Sequence, residues 1–145
     1  VYRMCVDAGW PVCRRSRGEV PGPDDAILLC DTLGELLVFL CAATVAVIGG
    51  SLIEHCGHNA LVASAWGAPV VPGPHMFNFA EISELLVDAG AMIMLPDPAG
   101  LGDCLAGLLA DASRRYAMGA AGRRVLAENR GALERLLELI DQALS

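Results

Sequence analysis

The polar residues with chemical potential fall into three groups: Asp31-Thr32-Leu33-Gly34-Glu35; Gly49-Gly50-Ser51 with Gly57-His58-Asn59; and Gly73-Pro74-His75 with Asn78. Glycines permit close backbone approach, and a turn entering a helix presents unpaired N–H groups to an anion. The chemistry favoured is a phosphate cradle, with Ser51 and Asn59 as side-chain donors or as helix organisers. His58 is placed either to donate to a phosphate oxygen or to fix its loop, and His55 and His75 are secondary candidates. The glycine spacing is neither that of a P-loop nor that of a dinucleotide-binding turn. Glu35 either caps a helix beginning near Thr32 or faces a nucleotide together with Gly34. No two carboxylates are spaced as a general acid and base. His55, Cys56 and His58 are too cramped along the chain for a zinc site, and no second ligand cluster accompanies them.

The elements that must position these groups alternate. Short apolar runs predict strands over 12–15, 26–30, 45–48, 70–71 and 91–95. A helix end over 1–8 stops at Gly9. Further helices are expected over 32–42, 59–66, 78–89, 101–110, 113–129 and 132–143; the first has the Thr32/Glu35 capping-box spacing. Leu101, Leu105, Leu108 and Leu109 form one expected stripe, and Leu133, Leu136, Leu137 and Ile140 another. This order predicts an α/β fold with a doubly wound parallel sheet. Ligands bind such sheets beyond the carboxyl ends of the strands, so the three groups are expected along one rim.

At 145 residues the chain fits a single domain with its own core. The 54% apolar content suits parallel strands covered on both faces, and the 19% charged fraction leaves apolar surface to meet another domain or a membrane. A net charge of -7 argues against nonspecific nucleic-acid binding but not against a single nucleotide. The six cysteines form no CxxC, and several, including Cys30 and Cys41, sit in apolar runs. They read as reduced core residues of a cytoplasmic protein. The opening residues lack a secretory signal, and the nonpolar stretch 36–52 divides into a helix and a strand. The first residue is Val1 within a helical pattern, so a chain truncated on its N-terminal side is expected.

Together these segments resemble the 3-deoxy-D-manno-octulosonic acid (Kdo) transferases of lipopolysaccharide synthesis. The resemblance rests on Asp31-Thr32-Leu33-Gly34-Glu35-Leu36, Gly49-Gly50-Ser51-Leu52, Gly57-His58-Asn59, and Gly73-Pro74-His75 with Asn78-Phe79. Arg15-Ser16 with Gly18-Glu19 and Asn129-Arg130-Gly131-Ala132-Leu133 extend it, so that it runs from about Arg14 to Leu139. It implies the Rossmann-like C-terminal half of a GT-B glycosyltransferase, which binds CMP-Kdo for transfer to a lipid A precursor at the cytoplasmic face of the inner membrane. Gly34, Glu35, Gly50, Ser51, Gly57, His58, Asn59, His75 and Asn78 would be donor-binding. No cofactor and no donor-bound metal are implied. The catalytic base would lie in the acceptor-binding N-terminal half, outside this sequence, leaving this half by itself inactive. The face left uncovered would invite artificial dimerisation, and membrane association would be peripheral, through the full protein.

Two departures stand out. Val62 occupies the place of the family's glutamate in Leu-Glu-Pro-Ala, and the family's upstream Arg-His-Pro motif is missing. Two other readings remain: a GT-B donor domain for a different nucleotide sugar, and a noncatalytic α/β interaction module.

Overall fold

A computed structural model describes residues 1–54 and 57–129. The expected helix over 132–143, with its leucine stripe, lies outside the described residues, as do His55 and Cys56. The chain divides into two compact units, Val1–Phe39 and Leu40–Ser145.

In the first unit, α1 (Tyr2–Asp7) ends before Gly9, whose φ of 78° is the left-handed conformation that stops a helix. Strands β1 (Val12–Arg14) and β2 (Ile27–Leu29) pair in parallel, with Val12 opposite Ile27 and Arg14 opposite Leu29. Cys13, between them in register with Leu28, is the buried residue of β1. Helix α2 (Leu36–Ala42) follows, its last three residues counted with the second unit. It begins four residues later than the Thr32/Glu35 spacing predicts.

The second unit holds the larger core. Strands β3 (Ala46–Ile48) and β4 (Val70–Pro72) pair in parallel, and Val70 makes a further parallel bridge to Met92. The strand expected over 91–95 is thus reduced to one bridge, though the Ile93 and Leu95 N–H groups still donate to the Val70 and Pro72 carbonyls at 3.0 and 2.9 Å. Successive β-residues point to opposite faces, and Val70 and Val71 join different hydrophobic clusters. Both are fully buried, so β4 is covered on its two sides. One cluster contains Leu86 of α4 (Ala80–Asp88) and Val125 of α6 (Ala112–Glu128); the other contains Leu108 of α5 (Leu101–Ala110) and Met118 of α6. Layers of this kind are the α/β architecture expected from the sequence. Leu109 departs from its predicted stripe and is 58% exposed, because one residue beyond Leu108 turns about 100° around the helix axis.

Two corrections concern cysteines. Cys30 and Cys41 are exposed rather than core, one just past the end of β2 and the other on α2. The five described cysteines are unpaired. Among the described residues no helix is long and apolar enough to cross a membrane; the stretch 36–52 divides into α2, β3 and a 3-10 turn.

Ser83 of α4 is fully buried, and its hydroxyl has no hydrogen-bond partner among the described residues. A buried hydroxyl without a partner costs about 1–3 kcal/mol. Ser83→Ala is therefore expected to raise stability by about 1 kcal/mol, read as a higher urea midpoint with an unchanged slope. A lower midpoint would mean that the hydroxyl is satisfied after all.

Candidate functional site

The rim of the second unit is assembled around one hydroxyl. β3 ends at Ile48 and runs into a 3-10 turn, Gly49–Leu52, which contains Gly50 and Ser51. Ser51 is fully buried. Its Oγ donates to the Ile48 carbonyl at 2.6 Å and accepts from the Gly73 N–H at 2.7 Å. The backbone continues the link: His75 N donates to the Ser51 carbonyl at 3.1 Å, and Gly57 N donates to the His75 carbonyl at 3.0 Å. The segments after β3, after β4 and before α3 (Leu61–Ala65) are thereby tied together.

Two glycines allow that approach. A Cβ on Gly73 would lie 2.5 Å from the Ser51 carbonyl oxygen and 2.8 Å from Leu52 Cα. A Cβ on Gly57 would lie 2.2 Å from the sulfur of Met76, a buried residue. The Gly73 and Met76 roles were missed in the sequence reading. The Gly-Pro pair directly after β4 is a signal for the first; nothing local signals the second.

The predicted site residues around this fastening differ in availability. Ser51 spends its hydroxyl on the rim itself, which makes it an organiser rather than a ligand donor. His58 and Asn59 are exposed immediately after Gly57, and His75 is half-buried. Asn59 Oδ1 accepts from the Leu61 N–H at 3.0 Å, closing a turn two residues ahead rather than capping a helix begun at its own position. Asn78 is exposed in the 3-10 turn Phe77–Phe79, beside an open groove that also includes Ala80, Glu81 and Ile82. Val62, in the first turn of α3, is half-buried.

In the first unit, two consecutive arginines grip two acids. Arg14 Nε donates to Asp31 Oδ2 at 2.5 Å, and the backbone N–H and Oγ of Ser16 donate to the same carboxylate at 2.9 and 2.8 Å. Arg15 grips Glu35 with a fork, Nη2 to Oε1 at 2.7 Å and Nε to Oε2 at 3.1 Å, and the Thr32 hydroxyl adds a short bond to Glu35. These contacts, led by Arg14, hold the Asp31 carboxyl far below the usual carboxylate range. Arg15, followed by Thr32, pulls the Glu35 carboxyl down as well. The Arg15 guanidinium is pushed up in turn by Glu35. Glu35 is thus committed to an arginine 20 residues upstream, which is why the capping box does not form. Gly34 between them has a φ of 83°, left-handed and suited to glycine.

The basic groups of α6 resolve individually. Arg115 Nη1 donates to the Leu108 and Leu109 carbonyls at 2.6 Å, closing the end of α5. Arg124 and Glu128 form a loose exposed pair at 3.9 Å.

No family model matches the chain. It is 41% identical to the 3-deoxy-D-manno-octulosonic acid transferase of Haemophilus influenzae over 128 residues, 88% of this chain and 30% of that protein. It is also 41% identical to the Bordetella pertussis enzyme of the same name over 138 residues, 94% of this chain and 32% of that protein. Among solved structures it resembles the C-terminal CMP-Kdo binding domain of WaaA from Acinetobacter baumannii, with a TM-score of 0.82 and 29% identity, over 86% of this chain and 65% of that one. The chain spans about a third of the length of these curated relatives. On sequence and fold together, it belongs to the 3-deoxy-D-manno-octulosonic acid transferase family.

Proposed function

We propose that the chain is the donor-binding part of a glycosyltransferase that moves Kdo from CMP-Kdo to a lipid A precursor in lipopolysaccharide synthesis. The observation that carries this reading is the rim fastened by Ser51, which gathers Gly57, Gly73 and His75 at the carboxyl ends of parallel strands. The likeness to a domain named for CMP-Kdo binding supports it. Gly50, Gly57, His58, Asn59, His75 and Asn78 are the proposed donor contacts in the second unit, with Ser51 holding them in place.

The chemistry is displacement at the anomeric carbon of Kdo. An acceptor hydroxyl forms the new C–O bond, the bond to the CMP phosphate breaks, and CMP leaves with the electron pair. Backbone N–H groups and polar side chains of the rim stabilise the charge growing on that phosphate. The base that takes the hydroxyl proton and the acceptor site belong to an N-terminal GT-B half outside this sequence. The full enzyme would work at the cytoplasmic face of the inner membrane, attached peripherally. The chain alone then binds donor without turning it over, since catalysis needs both reactants in register.

Calorimetric titration with CMP tests the reading. Saturable binding below millimolar CMP is expected, and no heat at millimolar CMP would refute it. Val62 favours one second reading, a donor domain for a different nucleotide sugar. Parallel titrations with UDP and GDP decide between the two, because tighter binding of a diphosphate would favour the alternative.

A further inference from the structure

Met76 stands where the two loop segments of the rim meet. Its carbonyl accepts the Phe79 N–H at 2.8 Å, which closes the 3-10 turn that carries Asn78. The residue before it, His75, takes the Gly57 N–H on its own carbonyl at 3.0 Å. The Met76 side chain is 3% exposed and belongs to the same buried cluster as Ala60. His58 and Asn59 are thus two exposed residues held between two buried ones, Gly57 and Ala60. Gly57 lies so close on the Met76 thioether that an added Cβ would overlap the sulfur and come within 3.4 Å of the terminal methyl.

A methionine is unbranched and turns about three side-chain bonds, so in open space it would move aside. Inside a buried cluster it has no cheap retreat, because interiors are filled to the density of organic crystals. The height at which His58 and Asn59 stand on the rim is then set by the bulk beneath Gly57. We infer that Met76 is a positioning residue acting through Gly57. Its thioether is the floor under the segment from Gly57 to Asn59, and it fixes how far that segment projects toward an anionic ligand. The inference rests on the donor-binding reading above, and all of its residues belong to the second unit.

The test is a size exchange read by CMP calorimetry on the 145-residue chain, comparing wild type, Gly57→Ala, Met76→Val and the double variant. Gly57→Ala is expected to weaken CMP binding about tenfold, by lifting the segment off the sulfur. Met76→Val removes the bulk at the sulfur position and lets the segment sink, weakening binding about threefold to fivefold. In the double variant the new methyl takes up the vacated space. Affinity should then return to within about threefold of wild type rather than fall by the product of the two losses. Affinity is the readout that a role in packing alone would not move. Wild-type affinity in Gly57→Ala, whatever its melting temperature, would overturn the inference. So would multiplied losses in the double variant, since the alanine methyl would then be meeting the ligand itself. Should Gly57→Ala fold too poorly to titrate, the double variant carries the test against Met76→Val. Binding at least as tight as Met76→Val supports the inference, and weaker binding overturns it. A wild type that binds no CMP brings down the donor-binding reading and this inference with it, an outcome distinct from failure of the variants.

Discussion

Gly73→Ala is expected to weaken CMP binding by at least about tenfold and to destabilise the fold by about 2 kcal/mol. The added methyl carbon would meet three backbone atoms, the Ser51 carbonyl oxygen at 2.5 Å, Leu52 Cα at 2.8 Å and the Ser51 carbonyl carbon at 2.9 Å, none of which can rotate away. The loops after β3 and β4 must therefore part. Parting them stretches the Gly73 N–H to Ser51 Oγ bond and the His75 N–H to Ser51 carbonyl bond, each contributing about 1 kcal/mol net. Binding suffers as well as stability, because those bonds hold the His75 segment against Gly57. Calorimetry and urea unfolding of the same variant read the two effects. Wild-type affinity in a destabilised variant would show that the rim is packing alone.

Gly119→Ala should lower the melting temperature by about 5–10 °C, a loss of about 2 kcal/mol. Here a Cβ would lie 2.1 Å from the Gly67 carbonyl oxygen and 2.9 Å from its carbon, where α6 packs on the turn closing α3. Gly67 is itself tightly held: its φ is 78°, and the Arg123 guanidinium, one turn further along α6, fills the space a Cβ would take there. Alanine gains about 1 kcal/mol in helix propensity, which overpacking against backbone outweighs. Gly102→Ala and Gly107→Ala in α5 are the controls, since a Cβ at either meets nothing within 4 Å. Both should be neutral or stabilising by up to about 1 kcal/mol. Equal melting curves for Gly119→Ala and these controls would contradict the close approach of α6.

Much of the scaffold was legible from local pattern. The leucine pattern placed α5 at 101–110, as observed. Gly9, read as a helix stop, has a positive φ, as do Gly67 and Gly90 just beyond α3 and α4. The runs at Val12, Ile27, Ala46 and Val70 became strands, each a residue or two from its expected limits, and their pairing is parallel. These features depend on periodicity and on neighbours within about four residues, so they survive without knowledge of the rest of the chain.

The roles of the polar residues were not legible in the same way. Thr32 and Glu35 had capping-box spacing, yet Glu35 went to Arg15; Ser51 read as a possible ligand donor, yet its hydroxyl spans to Gly73, 22 residues away. Cys30 and Cys41 sat in apolar runs and are exposed. The sequence by itself determined the alternating elements, the stops between them and the family signature. Only the tertiary structure decided which acid each arginine holds and which loops Ser51 joins. A carboxylate or hydroxyl satisfies itself with whatever partner strand register brings within about 3 Å, and that register is set by burying each strand pair as a whole.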